Sequence, residues 1–146
     1  MGKSADGRLR RQSLSFIRTR WDADPTIEFI EQYRDWALGT ILPRCAAEDT
    51  KVVVLEDCSA WASLPSLTIL NKLVAVTKDT DALVKQHTLG IIGFMPNMNW
   101  VTWLNPILAI TAIPHRFAND PDQALDFANE LFTTGSVAPP ENMSIA

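Results

Sequence analysis

The run Val52-Val53-Val54-Leu55-Glu56-Asp57 is apolar for four consecutive positions, three of them β-branched, and then turns acidic. A strand with one wet face alternates apolar and polar residues. An unbroken apolar run instead marks a strand covered on both faces, the situation at the centre of a parallel sheet. Its polar end, Glu56-Asp57-Cys58-Ser59, lies where a parallel strand delivers the chain to the next loop. Downstream, Thr88-Leu89-Gly90-Ile91-Ile92-Gly93-Phe94 has the same character. Between the two, Leu67, Leu70, Leu73, Val74 and Thr77 recur at helical spacing. This predicts a helix from about Pro65 to Lys78, with Lys78-Asp79-Thr80-Asp81 as its break.

Working outward, Ser13 to Trp21 alternates, with Leu14 and Phe16 facing one way and Ile17 the other, and reads as a strand. Asp22-Ala23-Asp24-Pro25 then opens a helix. Asp24 is the expected cap, Pro25 suits the first turn, and Ile27, Ile30, Arg34, Ala37, Leu38 and Ile41 follow until Pro43 as the stop. On the other side, Asn97 is the expected cap of a helix over Met98–Ile110 that contains Pro106. Ala112 to Phe117 predicts a short strand whose Pro114 suits an edge. Asn119-Asp120-Pro121 repeats the cap-then-proline opening before Ala124, Leu125, Ala128, Leu131 and Phe132. The order β-α-β-α-β-α-β-α predicts an α/β domain with a single, mostly parallel sheet of four to five strands. The domain is expected over residues 9–133, with flexible tails at 1–8 and 134–146.

Composition agrees with one folded domain. The chain has 146 residues, is 47% apolar and 21% charged, and carries a net charge of −4 with a pI near 5.1. That apolar share argues against disorder. The acidic balance offers no field to attract phosphates, so no nucleic-acid partner is expected. Arg8, Arg10, Arg11, Arg18 and Arg20 make the N-terminal segment locally basic, without aromatic residues for base stacking. Arg18 and Arg20 share a strand face that is expected to be solvated or to meet an acidic neighbour.

The two cysteines, Cys45 and Cys58, form no C-x-x-C pair, so no metal or redox motif arises. Two buried thiols in a reducing cytoplasm are expected, with a disulfide as the alternative. No Asp, Glu, Lys or Arg occurs from Gln86 to His115. A membrane span would put Pro96, Asn97 and Asn99 near the bilayer centre at high cost, so a buried strand and helix is the preferred reading. The opening residues are basic and lack an apolar h-region, so no secretory signal is expected. His87 and His115 flank the third strand and the elements after it, and are expected at the surface or at strand ends.

Four stretches resemble the STAS-type domains, relatives of the bacterial anti-sigma-factor antagonists. They are Phe16–Trp21 with the helix to Tyr33; Val52–Asp57; Val84–Gly93, a basic residue before an apolar strand and glycine; and Arg116–Phe127, which closes on an acidic-Ala-Leu-aromatic helix. The likeness covers about residues 13–133. It implies a STAS-like fold and a non-enzymatic regulatory or scaffolding role through protein contacts, sometimes switched by phosphorylation. The family's switch serine follows the Asp-ended strand. Ser59 and Ser63 lie in that neighbourhood, without the family's compact Asp-Ser-Ser/Thr-Gly arrangement.

Two segments are candidate binding sites. Asp57, Ser59 and Ser63 stand at a strand's carboxyl end, where α/β folds place ligands and a helix terminus can hold an anion. The ordinary alternative is that a serine caps the helix while Asp57 accepts backbone hydrogen bonds. Asn97, Trp100, Trp103 and Ile107 belong to the second segment. In helical projection Trp100, Trp103, Leu104 and Ile107 fall within an apolar arc about 180° wide, whereas a helix on a sheet needs about 100°. The surplus suits a protein partner, a second copy of the chain, or an apolar ligand or lipid. Arg10-Arg11-Gln12-Ser13 adds a short kinase-like pattern at Ser13. No nucleophile–base pair, phosphate loop or metal pattern is present, so neither catalysis nor a cofactor is expected.

Overall fold

In a computed structural model, residues 15–95, 97–140 and 143 are described, those at 98, 107 and 108 by backbone alone. The fold is α/β with one four-stranded, all-parallel sheet in the order β1-β2-β3-β4. The strands are β1 (Phe16–Arg20), β2 (Val52–Asp57), β3 (Thr88–Phe94) and β4 (His115–Ala118). The helices are α1 (Ile27–Trp36), α2 (Leu42–Ala47), α3 (Leu67–His87), α4 (Val101–Ile110) and α5 (Pro121–Thr134).

Strand order follows chain order, so right-handed crossovers deliver α1 to α4 to one face and leave the other to α5. Packing agrees. Val53 and Leu55 of β2, Ile92 and Ala118 pack with Ala124, Ala128 and Phe132 of α5. On the opposite face, Ile30 of α1, Leu70 of α3 and Leu104 of α4 join Trp21, Cys58, Trp61 and Met95. Four parallel strands span only about 14 Å between the outer two. Helices pack about 8–10 Å apart, so the crossover face seats two of them directly. α4 is the one displaced, and it leans chiefly on α3.

Several local expectations need correction. β1 is Phe16–Arg20, shorter than the alternating stretch, and Leu14 lies outside the described residues. Asp24 does not cap α1; Thr26 does, its Oγ1 accepting the Phe29 amide at 3.1 Å. Pro43 does not stop the helical course. Ala37–Ile41 forms a π turn, with the Leu42 amide donating to the Ala37 carbonyl, and α2 continues from there. The widened turn admits a proline whose ring would collide with the carbonyl four residues back in a regular α-helix. Asp49, at φ 49°, turns the chain out of α2.

α3 does not break at Lys78–Asp81 but runs 21 residues to His87, so His87 ends a helix. Lys78 and Asp79 are exposed while Thr80 and Asp81 turn inward, and the Thr80 hydroxyl donates back to the Val76 carbonyl at 2.8 Å. The serine capping α3 is Ser66, which accepts the Ile69 amide, and neither Ser59 nor Ser63. β4 begins at His115, later than Ala112. The Asp120–Pro121 opening of α5 is present, with Asp120 accepting the Gln123 amide at 2.8 Å. Beyond α5, in the segment expected as a tail, Val137 and Met143 pack against the α5-side core. Residues 1–8 and Ser13 lie outside the described residues.

Candidate functional site

The residues of β2 divide by parity. Val53 and Leu55 face α5 and are fully buried. Val52, Val54 and Glu56 face α1 and α3, where the layer is incomplete. Over them lies a cavity of about 150 Å³. Its floor is Ile17, Val54, Glu56 and Ile91; its walls are Ile30 and Tyr33 of α1, the π turn, and Leu73, Val76, Thr80 and Val84 of α3. A register shift between Val52 and Val53 gives β3 one extra residue against β2. Thr88 and Ile91, three apart, therefore both line the cavity. The π turn at 37–41 forms part of the rim, and such turns frequently accompany functional sites.

Glu56 is the carboxyl on this floor. Burial pushes it above the ordinary carboxylate range, and the Tyr33 hydroxyl, in hydrogen-bonding reach, partly offsets the rise. Tyr33 is itself pushed well above its usual value, first by burial and then by the charge of Glu56. Two other charged residues border the cavity. Asp81 Oδ1 accepts from Thr111 Oγ1 at 3.0 Å and from the Ala112 amide at 3.1 Å. Arg34 lies against Asp35 at 3.1 Å and Glu31 at 3.9 Å. At one end sits an aromatic cluster. Trp21 stacks on Tyr33 with ring centroids 5.8 Å apart and meets Trp61 edge-on at 5.9 Å. The indole N–H groups of Trp21 and Trp61 are buried and find no acceptor among the described residues.

The residues singled out from the sequence are placed elsewhere. Asp57 is buried on the other side of β2, accepting the Ser59 amide at 3.0 Å and lying 3.6 Å from Arg18. Ser63 is bound to Asp24, which accepts its hydroxyl at 3.0 Å and the Ala62 amide at 2.7 Å. These bonds hold the Asp24 carboxyl below its usual range. Ser59 is exposed. Asn97 accepts the Asn99 amide in a turn before the short 3₁₀ segment Met98–Trp100. Trp100 packs half-buried on the crossover-side core, and the side chain of Ile107 lies outside the description. Trp103 is 37% exposed, its indole donating to the Pro65 carbonyl at 3.0 Å. Neither Trp100 nor Trp103 lines the cavity.

Cys45 and Cys58 are free, buried and in separate apolar clusters, and burial pushes both thiols up. His115 is half-buried beside Phe117, and desolvation lowers its pKa to about 4. No group of three or more His, Cys, Asp or Glu residues is placed to hold a metal among the described residues. No described helix is long and apolar enough to cross a membrane.

Glu56 and Tyr33 are the site residues that sequence reasoning missed. The signal was parity: Glu56 is two residues after Val54 and four after Val52, so it shares their helix-facing side. No protein-family model matches the chain, and comparison with curated proteins and with solved structures finds no match.

Proposed function

We propose that this protein is a regulatory module of STAS-like fold whose input is a small apolar molecule held between the sheet and helices α1 and α3. The observation that carries the reading is the cavity over Val54 and Glu56. It is apolar on most sides and carries a few polar groups, Glu56 with Tyr33 among them, the composition of a small-molecule site. An apolar cavity of about 150 Å³ in another protein holds benzene. The β-α alternation and the all-parallel sheet support the STAS-like relation. The two buried thiols, in separate clusters, favour a reducing, cytoplasmic setting. The test is ligand-observed saturation-transfer NMR with toluene, repeated on Val54→Phe. The reading expects transfer to toluene in the wild type and its loss in the variant. Absence of transfer at millimolar toluene would refute it.

A second reading, contact with a second copy of the chain through α4, is favoured by Trp103. This tryptophan is exposed and lies against the segment that carries the exposed Leu64 and Leu67. Sedimentation velocity of wild type and Trp103→Asp tests it. A wild-type dimer that the variant loses supports the contact; a monomer at high micromolar concentration removes it.

A further inference from the structure

We infer that the ligand of this cavity is a benzene-sized molecule carrying a hydrogen-bond donor, an amine or an alcohol rather than a carboxylate, and that Glu56 receives the donor. The inference rests on the cavity reading above and adds the chemistry of the head group.

Three observations carry it. Glu56 lies on the floor of an otherwise largely apolar space, and the ion pairs among the described residues do not include it. A carboxylate offers about four lone-pair positions, of which the Tyr33 hydroxyl can fill one. Accepting capacity is therefore left facing the cavity. The other charged residues at its border are already engaged. Asp81 already accepts two hydrogen bonds, from Thr111 and Ala112, against the one that Tyr33 can give Glu56, and Arg34 is held by Glu31 and Asp35. No free cation is thus offered to an acidic ligand among the described lining residues.

The third observation is Trp21, which lines the cavity but keeps its Nε1–H fully covered, so the indole offers no donor to an acidic ligand there. An alcohol hydroxyl can donate to Glu56. A carboxylate would bring a second negative charge beside Glu56. In a low-dielectric space that repulsion disfavours binding. An ammonium ligand supplies the counter-charge that half-buried Glu56 lacks.

Isothermal titration calorimetry at neutral pH tests the assignment with four probes of one shape: toluene, benzyl alcohol, benzylamine and benzoate. Wild-type protein is expected to bind benzyl alcohol and benzylamine about tenfold or more tighter than toluene. Benzoate should bind more weakly than toluene. Glu56→Gln should weaken benzylamine about tenfold or more and leave toluene within about twofold. If toluene binds but the ranking is flat, or benzoate ranks first, the head-group assignment falls while the cavity reading stands. If none of the four binds, both fall. Should Glu56→Gln not fold, as judged by circular dichroism, the wild-type ranking decides by itself.

Discussion

Val54 and Val53 are neighbours on β2, and the same substitution at each should change stability with opposite sign. Val54 borders the cavity, whereas Val53 is fully buried in the core against α5. Valine to isoleucine adds one methylene group. Where empty space receives it, burial of that group stabilises by about 0.8 kcal/mol. Where the core is already filled, overpacking costs about 1–3 kcal/mol. Val54→Ile should therefore gain roughly 0.8 kcal/mol, and Val53→Ile should lose about 1 kcal/mol or more. Val76 of α3 borders the same cavity. Val54→Ile with Val76→Ile should gain up to about 1.5 kcal/mol, less any coupling between the added groups. For a chain of this size 1 kcal/mol moves Tm by roughly 2–4 °C, so the single and double variants are resolvable. Urea unfolding with a shared slope measures the differences. A loss of about 1 kcal/mol or more at Val54, matching that at Val53, would mean the space is already packed and would refute the argument.

Burial lowers His115 to about 4, against about 6.5 for a free imidazole. Its folded pKa is depressed, so neutral His115 favours the folded state above pH 6.5 and that contribution drains away as pH falls toward 4. About 3 kcal/mol should be lost between pH 7.5 and 4. Urea midpoints of wild type and His115→Phe at both pH values test this, and parallel profiles would contradict it. Glu56 works in the opposite sense. Its folded pKa is raised, so the contribution of the neutral carboxyl is complete below the ordinary carboxylate range and lost as pH climbs through the folded value. Glu56→Gln should therefore gain on the wild type between pH 4 and 8, and a constant difference would count against burial as the cause. Removing the Asp24 carboxylate frees the Ala62 and Ser63 amides. Asp24→Ala should speed hydrogen exchange at those two positions and leave the Gln123 amide, capped by Asp120, unchanged.

The architecture was legible because each element carried its own period. The unbroken apolar runs of β2 and β3 and the cap-then-proline opening of α5 are short-range signals, and no tertiary contact overrides them. Misreadings arose where one residue type serves two roles. Asp24 has the chemistry of a cap, but its oxygens went to Ala62 and Ser63, a pairing 38 and 39 residues away that no local pattern announces. Lys78-Asp79-Thr80-Asp81 resembles a break, yet it contains neither glycine nor proline. Its polar groups divide between solvent and cavity at helical spacing. Pro43 resembles a stop because the π turn that tolerates it has no sequence period of its own.

The site was less legible than the fold. Asp57 stands out in the sequence because acidic residues at the carboxyl end of a strand are frequent ligand contacts, but parity turns it toward Arg18 and away from the cavity. Glu56, its neighbour, is the group left facing open space. The void itself depends on how α1, widened at its end by the π turn, sits relative to α3, and that distance is not encoded in either helix alone. The surplus apolar arc that included Trp103 does have a counterpart in the structure. With room for two helices on the crossover face, α4 leans on α3 and Trp103 stays partly exposed.

The most direct test of the cavity is crystallography under xenon pressure, since xenon occupies apolar voids without needing a polar contact. A xenon peak among Val54, Val76 and Ile91 is the result expected here. Side chains closing that space, with no xenon between β2 and α3, would contradict the account.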